Sequence, residues 1–256
     1  WYRVGSRYEK PGLTGISHWV EHMQFKGTEK YPSTTMDRLI AREGGVWNAF
    51  THVDWTTYFE TMPANKIDLA MDLEADRMVN SLFNPVDVES ERTVIISEKE
   101  GKDNEPFLRL SNAVNEAAFL SHPYRNEVIG SLEDLHRIQR DDLYHHYRKY
   151  YQPANAIISI AGDFNTSEMV EKIQNKFNSI PSKFSPDPEI QPEYELKGKK
   201  EILLSGPGDT IFIQIAYRSP SARDNSRPDR GPHSAGSPAT WSPGDGLHRN
   251  QAAPGR

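Results

Sequence analysis

The stretch Gly15-Ile16-Ser17-His18-Trp19-Val20-Glu21-His22-Met23 constrains this chain more than any other. Two histidines lie four positions apart, with a glutamate directly before the second. On an α-helix each residue advances by roughly 100°, so His18 and His22 project from one face, with Glu21 beside them. Two imidazoles so spaced can hold one zinc ion, and H-x-x-E-H is the reverse of the H-E-x-x-H order of many metalloproteases. Paired histidines at this spacing also occur as ordinary surface residues. The metal reading therefore needs a third ligand and a substrate platform elsewhere in the chain.

Composition narrows the alternatives. A chain of 256 residues can bury a core and hold one large or two modest domains. No apolar run approaches bilayer length, so no membrane span is expected. A net charge of −6 argues against nucleic acid as a partner and suits basic or unfolded peptides. The absence of cysteine excludes disulfides, a thiolate nucleophile and a cysteine zinc site. The chain opens at Trp1 with apolar alternation and no signal-peptide pattern, which reads as the tail of a strand already under way. A preceding segment is expected. No targeting sequence is in view, and a preceding segment could carry one, so the compartment stays open, with a bacterial-type cytoplasmic location favoured.

Further along, Ser17 reads as the N-cap region of the His18 helix and Gly27 as its C-cap. A second helix runs from Ser33 to Glu43. Residues 46–62, rich in aromatic and β-branched side chains, predict two strands turning near His52-Val53-Asp54. Helices are predicted from Pro63 to Ser81, from Asn84-Pro85 to about Glu100, and from Pro106 to Leu120. Ser131 opens a helix continuing to Tyr150; a strand over 155–163 and a helix over 165–178 follow. Irregularly mixed strands and helices with a hairpin predict an α+β fold, a mixed or antiparallel sheet with helices packed on it. Residues 182–200 read as a linker and 201–218 as the first strands of another domain. From 219 to 256 apolar content nearly vanishes, which predicts disorder.

The third ligand is sought in Glu89-Ser90-Glu91-Arg92-Thr93-Val94-Ile95-Ile96-Ser97-Glu98-Lys99-Glu100. Glu91 and Glu98 are seven apart, so two helical turns bring them onto one face within about 20°. One carboxylate can ligate the metal while the other orients a ligand histidine. A solvated charged face is the plain alternative, although Val94-Ile95-Ile96 points to partial burial. Five further histidines (His52, His122, His136, His145, His146) form no ligand pattern and read as structural or exposed.

Four blocks carry a resemblance. His-Trp-Val-Glu-His-Met-Gln-Phe-Lys-Gly-Thr at 18–28, Gly-Gly-Val-Trp-Asn-Ala-Phe-Thr at 44–51, Glu-Arg-Thr-Val-Ile-Ile-Ser-Glu at 91–98 and the Asn155–Asp163 stretch come in consistent order. Together they resemble the N-terminal domain of the pitrilysin/insulinase (M16) zinc metallopeptidases, closest to the mitochondrial processing peptidase branch. The resemblance implies that His18, His22 and Glu98 bind one Zn2+ per chain, that Glu21 is the general base and that Glu91 orients a ligand histidine. It implies that Asn48 and Ala49 hold an extended peptide substrate on a strand edge. It also implies a homologous second domain or partner subunit that closes a chamber around the substrate. Here that second half stops after two expected strands and a tail of different character follows, as a truncated or frameshifted reading frame would produce. The expected function is a zinc-dependent endopeptidase. The alternatives are a non-catalytic structural or assembly subunit and an inactive zinc-binding fragment of the same fold.

Overall fold

Helix boundaries fall where glycine, proline and capping side chains put them. In the computed structural model, which describes residues 1–183, 193–194 and 197–217, α1 spans Ile16–Met23 and α2 spans Ser33–Arg42. Gly15, not Ser17, is the N-cap of α1, at φ 89° in the left-handed region that glycine adopts at least cost. Ser17 lies inside the helix with its N–H committed to Glu9. A Cβ at position 15 would come within 2.3 Å of the Ile129 carbonyl oxygen. Gly15→Ala is expected to cost at least about 2 kcal/mol, from the left-handed penalty and overpacking together. A lower midpoint in urea unfolding is the readout. α1 also ends early: Gln24 is its C-cap, and Gly27 serves the next turn, where it bridges Pro32.

The hairpin is where the β-branched run placed it. β1 (Val46–Thr51) and β2 (Thr56–Thr61) pair antiparallel, with Asn48 opposite Phe59 and Ala49 opposite Tyr58. Tyr2 bridges Thr56 on the far side of β2, so β1 is the open edge among the described residues. A 3-10 turn (Ala64–Lys66) precedes α3, which runs Ile67–Asn80 rather than from Pro63. α4 (Pro85–Asp103) and α5 (Pro106–Ala118) each start on proline, whose missing N–H is one the first turn leaves unbonded anyway.

The single helix expected from Ser131 to Tyr150 is two. Ser131 caps α6 (Leu132–Arg137) by accepting the Asp134 N–H, but Ile138 takes φ −52° and ψ 130°. A second cap, Gln139 with Asp142, then opens α7 (Arg140–Tyr150). A tertiary contact accompanies the break: the Arg92 guanidinium of α4 donates to the carbonyls of Leu135 and Ile138, which the interrupted helix leaves free.

α8 (Thr166–Phe177) begins at Asn165, whose side chain accepts the Ser167 and Glu168 N–H groups. The strand expected over 155–163 does not form. Pro153–Asn155 is a 3-10 turn, Ala156 makes one bridge to Tyr2, and Ile157 and Ile158 stay exposed. Residues 201–205 and 210–217 also carry no strand. Apolar alternation selects a face, but a strand exists only where a neighbour takes its N–H and C=O groups. The disorder expected from 219 lies outside the described residues, as does most of the linker.

Trp1–Phe212 makes one unit; the rest belongs to a second, of which 213–217 are described. Within the first, Trp19, Val20 and Met23 of α1 are buried with Ile95 of α4 and with Leu143, Tyr147 and Tyr150 of α7. Helices packed on a small antiparallel sheet make the fold α+β. Its main consequence is that α1 is gripped between α4 and α7, with one face left for His18 and His22.

Candidate metal centre

His18 and His22 project together from α1, their ring centroids 4.6 Å apart. α4 packs against α1 and brings Glu98 to both rings. Glu98 Oε2 lies 3.7 Å from His18 Nε2 and 3.7 Å from His22 Nε2. The three donor atoms all fall within 4.8 Å of one another. Tetrahedral zinc with bonds of ~2.0–2.1 Å sets its ligand atoms ~3.3 Å apart. The two 3.7 Å separations are near that value and too long for hydrogen bonds. Two imidazole nitrogens and one carboxylate oxygen are a donor set of catalytic zinc sites, so these residues fit the ion.

The electrostatics agree. Burial, and then the neighbouring His22, lower the His18 pKa to about 3, so its ring is neutral near pH 7, the form that ligates metal. Burial works to raise the Glu98 carboxyl, but the Lys102 hydrogen bond and the two imidazoles outweigh it and the pKa lies below the ordinary value. Lys102 Nζ donates to Oε1 at 2.6 Å and leaves Oε2 for the histidines. Glu91, two turns earlier, has Oε2 2.9 Å from His22 Nδ1 and Oε1 paired with Lys26. Spacing alone left open which carboxylate faces the pair. Packing puts Glu98 at the Nε2 atoms and Glu91 behind the His22 ring. His18 has no such support, for its Nδ1 is buried without a hydrogen-bond partner among the described residues.

Glu21 is buried on the same helix, and the Thr51 hydroxyl of β1 donates to its Oε2. Burial raises its pKa, and the Thr51 bond offsets only part of that. Asn48 and Ala49 lie on β1 just before Thr51. His52 N bonds Trp55 O at 2.7 Å, which fixes the alternation along the hairpin. The main-chain groups of Trp47, Ala49 and Thr51 therefore point to the open edge. In this conformation the Ala49 N–H donates to Asn48 Oδ1 at 2.8 Å.

Three contributors escaped the sequence reading: Thr51, Lys26 and Lys102. The two lysines had a signal, since each stands four positions after a site residue, His22 or Glu98. Thr51 had only its place on the same strand as Ala49. Of the other histidines, His146 is buried with Nε2 3.2 Å from Ser17 Oγ, His52 stacks on Trp55, and His122 Nδ1 accepts the Tyr124 N–H. His136 and His145 are exposed.

Comparison with known proteins places the chain. Residues 1–131 match the profile of Insulinase (Peptidase family M16), and residues 137–232 that of the Peptidase M16 inactive domain. Zinc protease PqqE of Helicobacter pylori is 30% identical over 225 residues, 86% of this chain and 50% of the relative. A probable mitochondrial-processing peptidase subunit beta of Arabidopsis thaliana is 29% identical over 182 residues, 71% of this chain and 34% of the relative. The crystal structure of a protease from Helicobacter pylori matches with a TM-score of 0.72 and 33% identity, covering 75% of this chain and 47% of the other. The chain spans about half the length of the first two curated relatives, at 50% and 46%. With the first profile covering 131 of its 256 residues, the chain belongs to the insulinase family of peptidases, M16.

Proposed function

We propose that this chain is the metal-bearing half of a zinc endopeptidase that hydrolyses extended or unfolded peptides, with one zinc ion held by His18, His22 and Glu98. The convergence of these three donors within 4.8 Å, in a chain whose relatives are named zinc proteases, carries the reading. Zinc, when bound, supplies an acidified water and a Lewis acid for the peptide carbonyl. Glu21 is the proton carrier: its Oε atoms take a proton during attack and return it to the leaving amine. Thr51 holds that carboxylate in one orientation. Glu91 holds the His22 ring, and Glu91→Gln is expected to weaken zinc binding about 10–100-fold, measured by chelator competition.

Substrate binding falls to the open edge of β1. An extended peptide adds there as a further strand, read through its backbone. The Asn48 side chain must release the Ala49 N–H for this to happen. Residues 1–181 form the metallopeptidase domain in this reading, 182–200 the linker, and 201–218 the start of a homologous second domain that closes the chamber. The greater length of the relatives supports such a second half.

That length also favours one other reading, an inactive zinc-binding fragment. Zinc analysis after dialysis, with cleavage of an unfolded peptide in the presence and absence of chelator, separates them. One zinc per chain and chelator-sensitive cleavage are expected, by the chain alone or joined to the second half of a relative. Zinc without cleavage in either form leaves the fragment reading, and no zinc at all overturns both.

A further inference from the structure

α1 is eight residues long, and its N-cap, Gly15, has no side chain to cap with. The N–H groups of the first turn are met from elsewhere. Glu9, buried at 6% exposure, lays its carboxylate across the helix start. Its Oε2 accepts the Gly15 N–H at 2.8 Å and its Oε1 the Ser17 N–H at 2.9 Å. From α6, Asp134 Oδ2 accepts the Thr14 N–H at 3.0 Å and the Thr14 hydroxyl at 2.6 Å. From α7, His146 Nε2 lies 3.2 Å from Ser17 Oγ. Residues 14–17 are thus pinned by side chains from three other segments, and the next residue is His18. The His22 ring is oriented by Glu91; among the described residues the His18 ring has no hydrogen bond at Nδ1 to orient it. Where His18 Nε2 points depends on where the first turn of α1 is seated.

We propose that Glu9 is a positioning residue of the metal centre: by clamping the Gly15 and Ser17 N–H groups it seats His18 and so sets zinc affinity without touching the ion. The inference rests on His18, His22 and Glu98 being the ligands. A carboxylate suits the task because both oxygens accept, and its charge faces the positive end of the helix dipole. Burial pushes the Glu9 carboxyl up to about 7, the bonds from Ser17 and Gly15 resisting only in part. An amide in its place would turn an NH2 group toward one of the two N–H donors.

The test uses the intact chain at pH 8, where Glu9 is ionised. Zinc affinity is measured by competition with a chromophoric chelator, and ligand geometry by the visible spectrum of the cobalt(II) form. Glu9→Gln removes the charge; Glu9→Asp keeps it on a stem one methylene shorter. Met169→Ala, a buried truncation on α8 outside the cluster that holds α1, controls for lost stability alone. Circular dichroism sets a temperature at which all are folded. Glu9→Gln is expected to weaken zinc at least tenfold and to alter the cobalt spectrum. Glu9→Asp should recover part of both, and Met169→Ala should match the parent. Parent affinity and parent spectrum in both Glu9 variants would overturn the inference while leaving the metal site standing, as would an equal loss in Met169→Ala. An unsubstituted chain that takes up no zinc would remove the metal centre and the inference with it. Should Glu9→Gln not fold, Glu9→Asp decides by the same comparison.

Discussion

Glu21→Gln is expected to keep one zinc per chain and to lower peptide cleavage by about 10²–10⁴-fold, the usual contribution of a positioned proton carrier. Glutamine has the volume of glutamate and can still accept the Thr51 hydroxyl, so the helix and the hairpin that meet at this bond are retained. It cannot carry the proton. Because Glu21 is not one of the three converging donors, metal content should match the parent. Cleavage is to be measured in whichever form of the parent is active, alone or with a second half supplied. Parent-rate cleavage by this variant would remove Glu21 from the chemistry.

His22→Ala should lose zinc outright, with no metal remaining after dialysis. Two donors, His18 and Glu98, remain, fewer than the three that catalytic zinc sites use. Alanine is the best helix former, and the His22 side chain is partly exposed, so α1 should persist and the far-UV spectrum of the metal-free protein should be unchanged. Glu91 keeps its pairing with Lys26 and is not left as a lone buried charge. Full zinc retention in a folded His22→Ala chain would move the metal site elsewhere.

These two expectations draw on information of different range. That His18, Glu21 and His22 share one stretch of helix follows from periodicity alone, because neighbours at i, i+3 and i+4 are set by the helix itself. The hairpin of β1 and β2 was legible for a similar reason: its two strands are adjacent in the chain and each takes the other's backbone groups. The strand expected over 155–163 was not legible in the same way, since an apolar run needs a partner along its length and here residues 1–3 meet only its start, at Asn155, Ala156 and Ile157. The break between α6 and α7 had one local signal, the Gln139–Asp142 capping box, while the Arg92 bonds that take up the Leu135 and Ile138 carbonyls come from another helix and leave no local trace.

The sequence by itself determined the spacing of the two histidines and the placement of Glu91 and Glu98 on one face of α4. Only the tertiary structure decided that α4 lies against α1 with Glu98 toward the Nε2 atoms and Glu91 behind the His22 ring. It alone decided that Thr51 reaches Glu21 and that Glu9 and Asp134 grip the start of α1. The reason is physical. A helical turn is a local object whose geometry repeats every few residues. The meeting of groups about 75 positions apart is chosen by which buried surfaces fit, and no local period encodes that choice.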